Sequence, residues 1–133
     1  FGHVTPALIS KFYRAYKNGD DIVVWGDGSA QRDFLFSYDA AQALINIMFN
    51  IDGAVNIGSS SVIKIKDIVD NLADITGLHC KVKWDSTKPN GQDYRAYDLT
   101  KLKSTGFEPK YDLYKGLKIT WDWFCENIQN IRR

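Results

Sequence analysis

Trp25 and Arg32 are the residues best suited to chemistry in this chain. They flank the run Gly26-Asp27-Gly28, between a β-branched stretch, Ile22 to Trp25, and an apolar one, Phe34-Leu35-Phe36. A planar aromatic and a guanidinium on one hairpin would suit a phosphorylated ligand. The guanidinium presents a rigid fork of donors that matches two phosphate oxygens at once. The same two residues would equally serve as a core tryptophan and a surface arginine.

Two further groups could work beside them. His3 lies just before an expected helix N-terminus, where free amides and the helix dipole favour an anion. An imidazole there could also pass a proton near neutral pH. Lys11 sits about two turns further on and can share a face with the first turn. The loop Lys88-Pro89-Asn90-Gly91-Gln92-Asp93-Tyr94-Arg95 has its path fixed by proline and glycine, and Asn90 and Arg95 could reach a sugar or a phosphate. An exposed terminal histidine and a solvated connection are the plain alternatives. His79, in Gly77-Leu78-His79-Cys80, reads as loop.

The elements that must position these groups alternate. Thr5-Pro6 reads as N-cap and first helical residue of a helix carrying Leu8, Phe12, Ala15 and Tyr16, stopped at Asn18-Gly19. Ile22–Trp25 and Phe34–Phe36 read as strands. Ser37 or Asp39 caps a helix with Ala41, Leu44, Ile45 and Met48 on one face. After the turn Asp52-Gly53, Ala54–Ile57 reads as a short buried strand. Ile65, Ile68, Val69, Leu72 and Ile75 mark a helix ended by Gly77. Lys81–Trp84 reads as a strand, Asp98 caps a short helix ended by Gly106, and Asp112 starts a last helix carrying Leu113, Leu117, Trp121, Phe124 and Ile128. The class is α/β, with short strands alternating with helices, in one domain over residues 1–133.

Composition narrows the function. The chain has 133 residues, 44% hydrophobic and 25% charged, enough for a real core. A net charge of +1 gives no field that would draw nucleic acid or an acidic membrane. No apolar run approaches the ~20 residues of a membrane span. The two cysteines, Cys80 and Cys125, lack metal or disulfide spacing and read as reduced thiols of a cytoplasmic protein. Arg132-Arg133 reads as a solvated tail. The chain opens on Phe1 rather than Met, so its true start is expected to lie upstream.

Tyr13 with Lys17, and Tyr111 with Lys115, have the Tyr-x-x-x-Lys spacing of short-chain dehydrogenases. No dinucleotide fingerprint precedes either pair, and Gly26-Asp27-Gly28 leads toward a strand rather than a helix. Both tyrosines read as helix-face residues.

Taken together, several stretches resemble the C-terminal, substrate-binding portion of the GDP-L-fucose synthase family. These are the GDP-4-keto-6-deoxymannose 3,5-epimerase/4-reductases among the NAD-dependent epimerase/dehydratases of the extended short-chain dehydrogenase family. The stretches are His3 to Phe12; Val23 to Gly28 with Arg32-Asp33-Phe34-Leu35; Val55-Asn56-Ile57-Gly58-Ser59; Trp84 to Gly91; Gly106-Phe107-Glu108-Pro109; and Trp121-Asp122-Trp123-Phe124. The resemblance covers nearly the whole chain.

It implies an NADP-dependent enzyme that converts a GDP-4-keto-6-deoxyhexose, working as a homodimer in the cytoplasm. His3 resembles the epimerisation acid. Lys11, Trp25 and Arg32 resemble residues that grip the GDP-sugar, with Arg32 on the diphosphate. Asn90 stands where the family usually has the aspartate of Lys-Pro-Asp-Gly, and Arg95 where a basic residue is common.

The chain departs from the family at Ser37-Tyr38-Asp39-Ala40 and at Lys64, which replaces a usual N-cap serine. It lacks the glycine-rich cofactor loop, a catalytic Tyr-x-x-x-Lys in context and the epimerising cysteine. This part is therefore expected to carry no NADP and no metal, the Rossmann cofactor half being absent from it. Another nucleotide-sugar epimerase or dehydratase, or a non-catalytic nucleotide-sugar binding module, are the alternatives. The elements that pack on the cofactor domain in the family should leave an apolar patch on this chain.

Overall fold

The structure, a computed structural model, describes residues 3–131, so Phe1, Gly2 and the Arg132-Arg133 tail lie outside it. Helix α1 spans Val4–Asn18, strand β1 Ile22–Trp25 and strand β2 Gln31–Asp33. Helix α2 spans Ser37–Asn50, β3 Val62–Lys64 and α3 Ile65–Thr76. Then come β4 Val82–Asp85, β5 Tyr94–Arg95, α4 Thr100–Lys103 and α5 Leu113–Asn127, with single 3-10 turns at His79–Lys81 and Ile128–Asn130.

The chain forms two small sheets. β1 pairs with β4 in parallel, Ile22 facing Val82 and Trp25 facing Asp85. β2 is the middle of a second sheet, antiparallel to β3 and parallel to β5. β1 shows a period of two: Ile22 and Val24 are buried, Val23 and Trp25 exposed. Its inner face meets Leu8, Ile9, Phe12 and Ala15 of α1, with Ile68, Val69, Leu72 and Ala73 of α3 and Leu117 and Trp121 of α5 completing the core. A smaller cluster joins Ala43 of α2 to Leu99 and Leu102 around α4.

The helices end as their glycines dictate. Gly19 and Gly77 close α1 and α3 in the left-handed region. Asp112 accepts from the Lys115 amide and caps α5, and Asp98 accepts from the amide and hydroxyl of Thr100 ahead of α4. At α3 the N-cap is Lys64, which has no acceptor to offer. Only the reciprocal arm of a capping box forms, with Asp67 accepting from the Lys64 amide at 2.9 Å.

Five expectations are corrected. Trp25 and Arg32 do not share a hairpin, because β1 and β2 pair in different sheets. The second strand is Gln31–Asp33, not Phe34–Phe36, whose aromatics leave the sheet: Phe36 packs on Tyr111 with ring centroids 4.8 Å apart. Ala54–Ile57 is not a strand, since no neighbouring strand among the described residues offers it a ladder.

The fourth correction concerns α2. Its inner face is Asp39 and Ala43, while Leu44, Ile45, Met48 and Phe49 look outward, Met48 at 68% and Phe49 at 76% exposure. These four side chains form an exposed apolar stripe along α2. The start of α1 also shifts: His3 is the N-cap, so Thr5 and Pro6 fall inside the first turn.

Candidate functional site

An apolar cleft of about 200 Å³ opens between α1, the end of β1 and the loop after β4. Val4, Ala7, Leu8 and Lys11 of α1 form one wall. Val24, Trp25 and Gly28 form the floor, and Pro89 and Asn90 the far rim. Three of the residues singled out from sequence, Lys11, Trp25 and Asn90, thus meet around one cleft. They come together because the parallel β1–β4 pair ends both strands at the same edge, Trp25 beside Asp85.

Lys11 donates to the Val23 carbonyl at 2.6 Å, which draws its ammonium across the edge of β1. Burial, and then the Arg14 charge nearby, lower its pKa from the ordinary lysine value. Trp25 is 49% exposed and offers a flat apolar face beside the cleft.

The two loops at the rim are fastened together. Asn90 Oδ1 accepts from the Asp27 amide at 2.8 Å, and Asn90 Nδ2 donates to Asp27 Oδ1 at 2.8 Å and to Ser29 Oγ at 3.3 Å. Asp27 Oδ1 also accepts from the Ser29 hydroxyl and amide. These donors hold the Asp27 carboxyl below its ordinary pKa, the Ser29 hydroxyl first among them. Asp27 is the residue that sequence reasoning missed; Asp-x-Ser, an Asx-turn pattern, was its signal. The approach leaves no room for a side chain at position 26. A Cβ there would sit 1.8 Å from Asn90 Oδ1, and the backbone has φ +80.

The loop is tied to α3 as well. Ile65 and Lys66 donate to the carbonyls of Ala30 and Gly28, so the first amides of α3 are already engaged.

Arg32 stands next to this rim. Its Nη1 donates to the Gln31 carbonyl at 2.7 Å, and Nη2 lies 3.9 Å from where a Cβ on Gly91 would be. In the β2–β5 ladder Arg32 is the register partner of Arg95, so both side chains leave the same face of the sheet. Like charges placed side by side repel. Among the described residues the ion pairs are Lys66–Asp70, His79–Asp74 and Lys118–Asp122, so neither arginine has a carboxylate partner. Arg95 instead lies over the Tyr97 ring at 5.6 Å. Two arginines in register without a carboxylate partner, on the strands that flank the cleft's loops, are chemically suited to an anionic group.

His3 is exposed at the N-cap of α1, next to Val4 of the cleft wall; its carbonyl accepts from the Ala7 amide. The two Tyr-x-x-x-Lys pairs are cation–π contacts, Lys17 over Tyr13 at 5.6 Å and Lys115 over Tyr111 at 4.8 Å. Tyr13 lies within α1 as read, whereas Tyr111 precedes the Asp112 cap of α5. Cys80 is exposed and Cys125 half-buried, and burial, then Asp122, raise the Cys125 thiol above its ordinary pKa. A raised pKa makes it a poor nucleophile.

The described residues do not fit a nicotinamide dinucleotide. A cradle for its pyrophosphate needs a glycine-rich turn from strand to helix. Here Gly26–Gly28 leads from β1 to β2, and β3 enters α3 directly through Lys64. Nor do these residues contain a cluster of metal-ligating side chains, or a helix long and apolar enough to cross a membrane.

Residues 2–58 match the model of the NAD dependent epimerase/dehydratase family. The chain is 39% identical over 131 residues to GDP-L-fucose synthase 1 of Arabidopsis thaliana, covering 96% of this chain and 41% of that protein. It is 32% identical over 142 residues to GDP-L-fucose synthase of Escherichia coli strain K12, covering 98% and 44%. The crystal structure of a GDP-L-fucose synthetase from Naegleria fowleri bound to NADP superimposes with a TM-score of 0.88 at 28% identity, over 99% of this chain and 43% of that one. The chain spans about two fifths of the length of these relatives. In sequence and in fold the chain is similar to GDP-L-fucose synthases, and its residues 2–58 match the NAD dependent epimerase/dehydratase family.

Proposed function

We propose that this chain is the sugar-nucleotide-binding part of an NADP-dependent epimerase/reductase that makes GDP-L-fucose, or a related GDP-deoxyhexose, from a GDP-4-keto-6-deoxyhexose. The observation that carries the reading is the meeting of Lys11, Trp25 and Asn90 around one cleft, with Arg32, register partner of Arg95 and without a carboxylate partner, beside Gly91 of the same loop. A diphosphate satisfies the two guanidiniums with parallel charge-assisted hydrogen bonds. A planar base joined to it fits against Trp25, Pro89 and the aliphatic wall of α1, with Lys11 at the edge. The sequence and structural kinship to GDP-L-fucose synthases supports a GDP-sugar as the ligand.

His3 is proposed as the epimerisation acid, from its place at the end of the cleft wall. NADP is proposed to bind elsewhere in the full-length protein, because no described turn cradles a pyrophosphate. A cytoplasmic homodimer completes the reading.

Calorimetric titration of the full-length protein with GDP and with GDP-sugar tests it: saturable binding of both is expected, and absence of either would defeat it. Titrated alone, the 133-residue chain is expected to show no NADP binding. A micromolar affinity there would remove the proposed division of labour. His3→Gln should lower kcat at least tenfold while changing GDP-sugar affinity less than about threefold, the pattern of a group used in the transition state. Equal losses in both would make His3 a binding residue instead.

A further inference from the structure

We propose that Asp27 is a positioning residue, and that the Asp27–Asn90 pair is a latch that sets the width of the cleft rather than a direct contact to the ligand. The inference rests on the GDP-sugar reading for its ligand and on the loop geometry for everything else. Every polar atom of the Asn90 amide is engaged on the opposite loop: the oxygen with the Asp27 amide, the nitrogen with Asp27 Oδ1 and Ser29 Oγ. On the other side Asp27 Oδ1 is shared, holding the Ser29 amide and hydroxyl as well as the Asn90 nitrogen.

The residues flanking this pair in the chain are the ones that shape the site. Trp25 and Gly28 stand on one loop; Pro89 stands on the other, with Gly91 against Arg32. The two loops are separated by most of β1–β4 in sequence and meet at this edge. Moving the latch therefore moves Pro89 against Trp25 and shifts the loop beside the arginine fork. The pairing is also polar in one sense only: Asn90 must donate to a carboxylate, so a carboxylate at 90 would face the one at 27 and the two would repel.

The test is an exchange of the two groups in the full-length protein. Asn90→Asp is expected to weaken GDP binding roughly tenfold, a usual scale for coupled neighbours, and, as the two carboxylates move apart, to reduce hydrogen-exchange protection of the Asp27 amide. Adding Asp27→Asn removes the like charge and is expected to restore most of both. If Asn90 touches the ligand itself, Asp27→Asn cannot repair Asn90→Asp, and a double variant as weak as the single one overturns the latch. If the wild-type protein does not bind GDP, the proposed function fails by itself. The latch is then judged on Asp27 amide protection alone, and protection unchanged by Asn90→Asp overturns it.

Discussion

Arg32→Lys is expected to weaken GDP-sugar binding by the full-length protein roughly ten- to hundredfold. Lysine keeps the charge but loses the planar fork, so one of two parallel bonds to the diphosphate goes. A hydrogen bond to a charged group is worth about 1.5–3 kcal/mol, and each 1.4 kcal/mol is about tenfold in affinity. The β2–β5 ladder is a backbone structure, so the variant should fold normally and its melting temperature should hold. NADP affinity should stay within about twofold, since the described residues provide no cradle for it. Arg95→Ala should weaken binding in the same direction. If Arg32→Lys leaves GDP-sugar affinity intact, Arg32 is a surface arginine, and the anion site between the two guanidiniums goes with it.

Asp39→Ala is expected to cost about 1–3 kcal/mol of stability, the scale of leaving partly buried amides without their acceptor. Asp39 is 1% exposed, and its two carboxylate oxygens accept from the amides of Lys110 and Tyr111 at 3.1 and 3.0 Å. Those amides lie in the segment that leads into α5. The carboxylate is thus the polar bolt between α2 and the last helix of the core, and α2 has few other anchors beyond Ala43 and its neighbours. Asp39→Asn keeps one acceptor and should fall between wild type and alanine. A urea-melt difference below about 0.5 kcal/mol for Asp39→Ala, the range of neutral surface changes, would show that water replaces the lost oxygens.

The three core helices were legible because their burial is one-sided and repeats at helical spacing. Leu8, Phe12 and Ala15 in α1, Ile68, Val69 and Leu72 in α3, and Leu117 and Trp121 in α5 all turn inward. β1 was legible from its β-branched run. The second sheet was not, because Gln31-Arg32-Asp33 is short and polar, and its partners come from distant parts of the chain. No local pattern encodes such pairing. For α2 the periodicity was visible, yet sequence could not say which side meets a partner. The small Ala43 and the bonded Asp39 face inward, while the large apolar stripe faces out.

The site divided the same way. Lys11, Trp25 and Asn90 carried recognisable chemistry and do meet at one cleft. Asp27 looked like any turn aspartate, because its importance comes from a residue on another loop.

The register of β1 with β4, Ile22 beside Val82 and Trp25 beside Asp85, also orders events during synthesis. On the ribosome, α1 and β1 emerge before β4, with Trp25 and Arg32 already made. No hairpin partner follows them, so β1 must wait until the chain through Asp85 has left the exit tunnel. The cleft cannot close until Pro89 and Asn90 arrive as well. Parallel pairing of distant segments is slow, because the loop entropy is lost before any contact repays it. The cleft therefore forms only after α1 and α3 can meet, and a chain halted before residue 85 would carry Trp25 and Lys11 with no far rim opposite them.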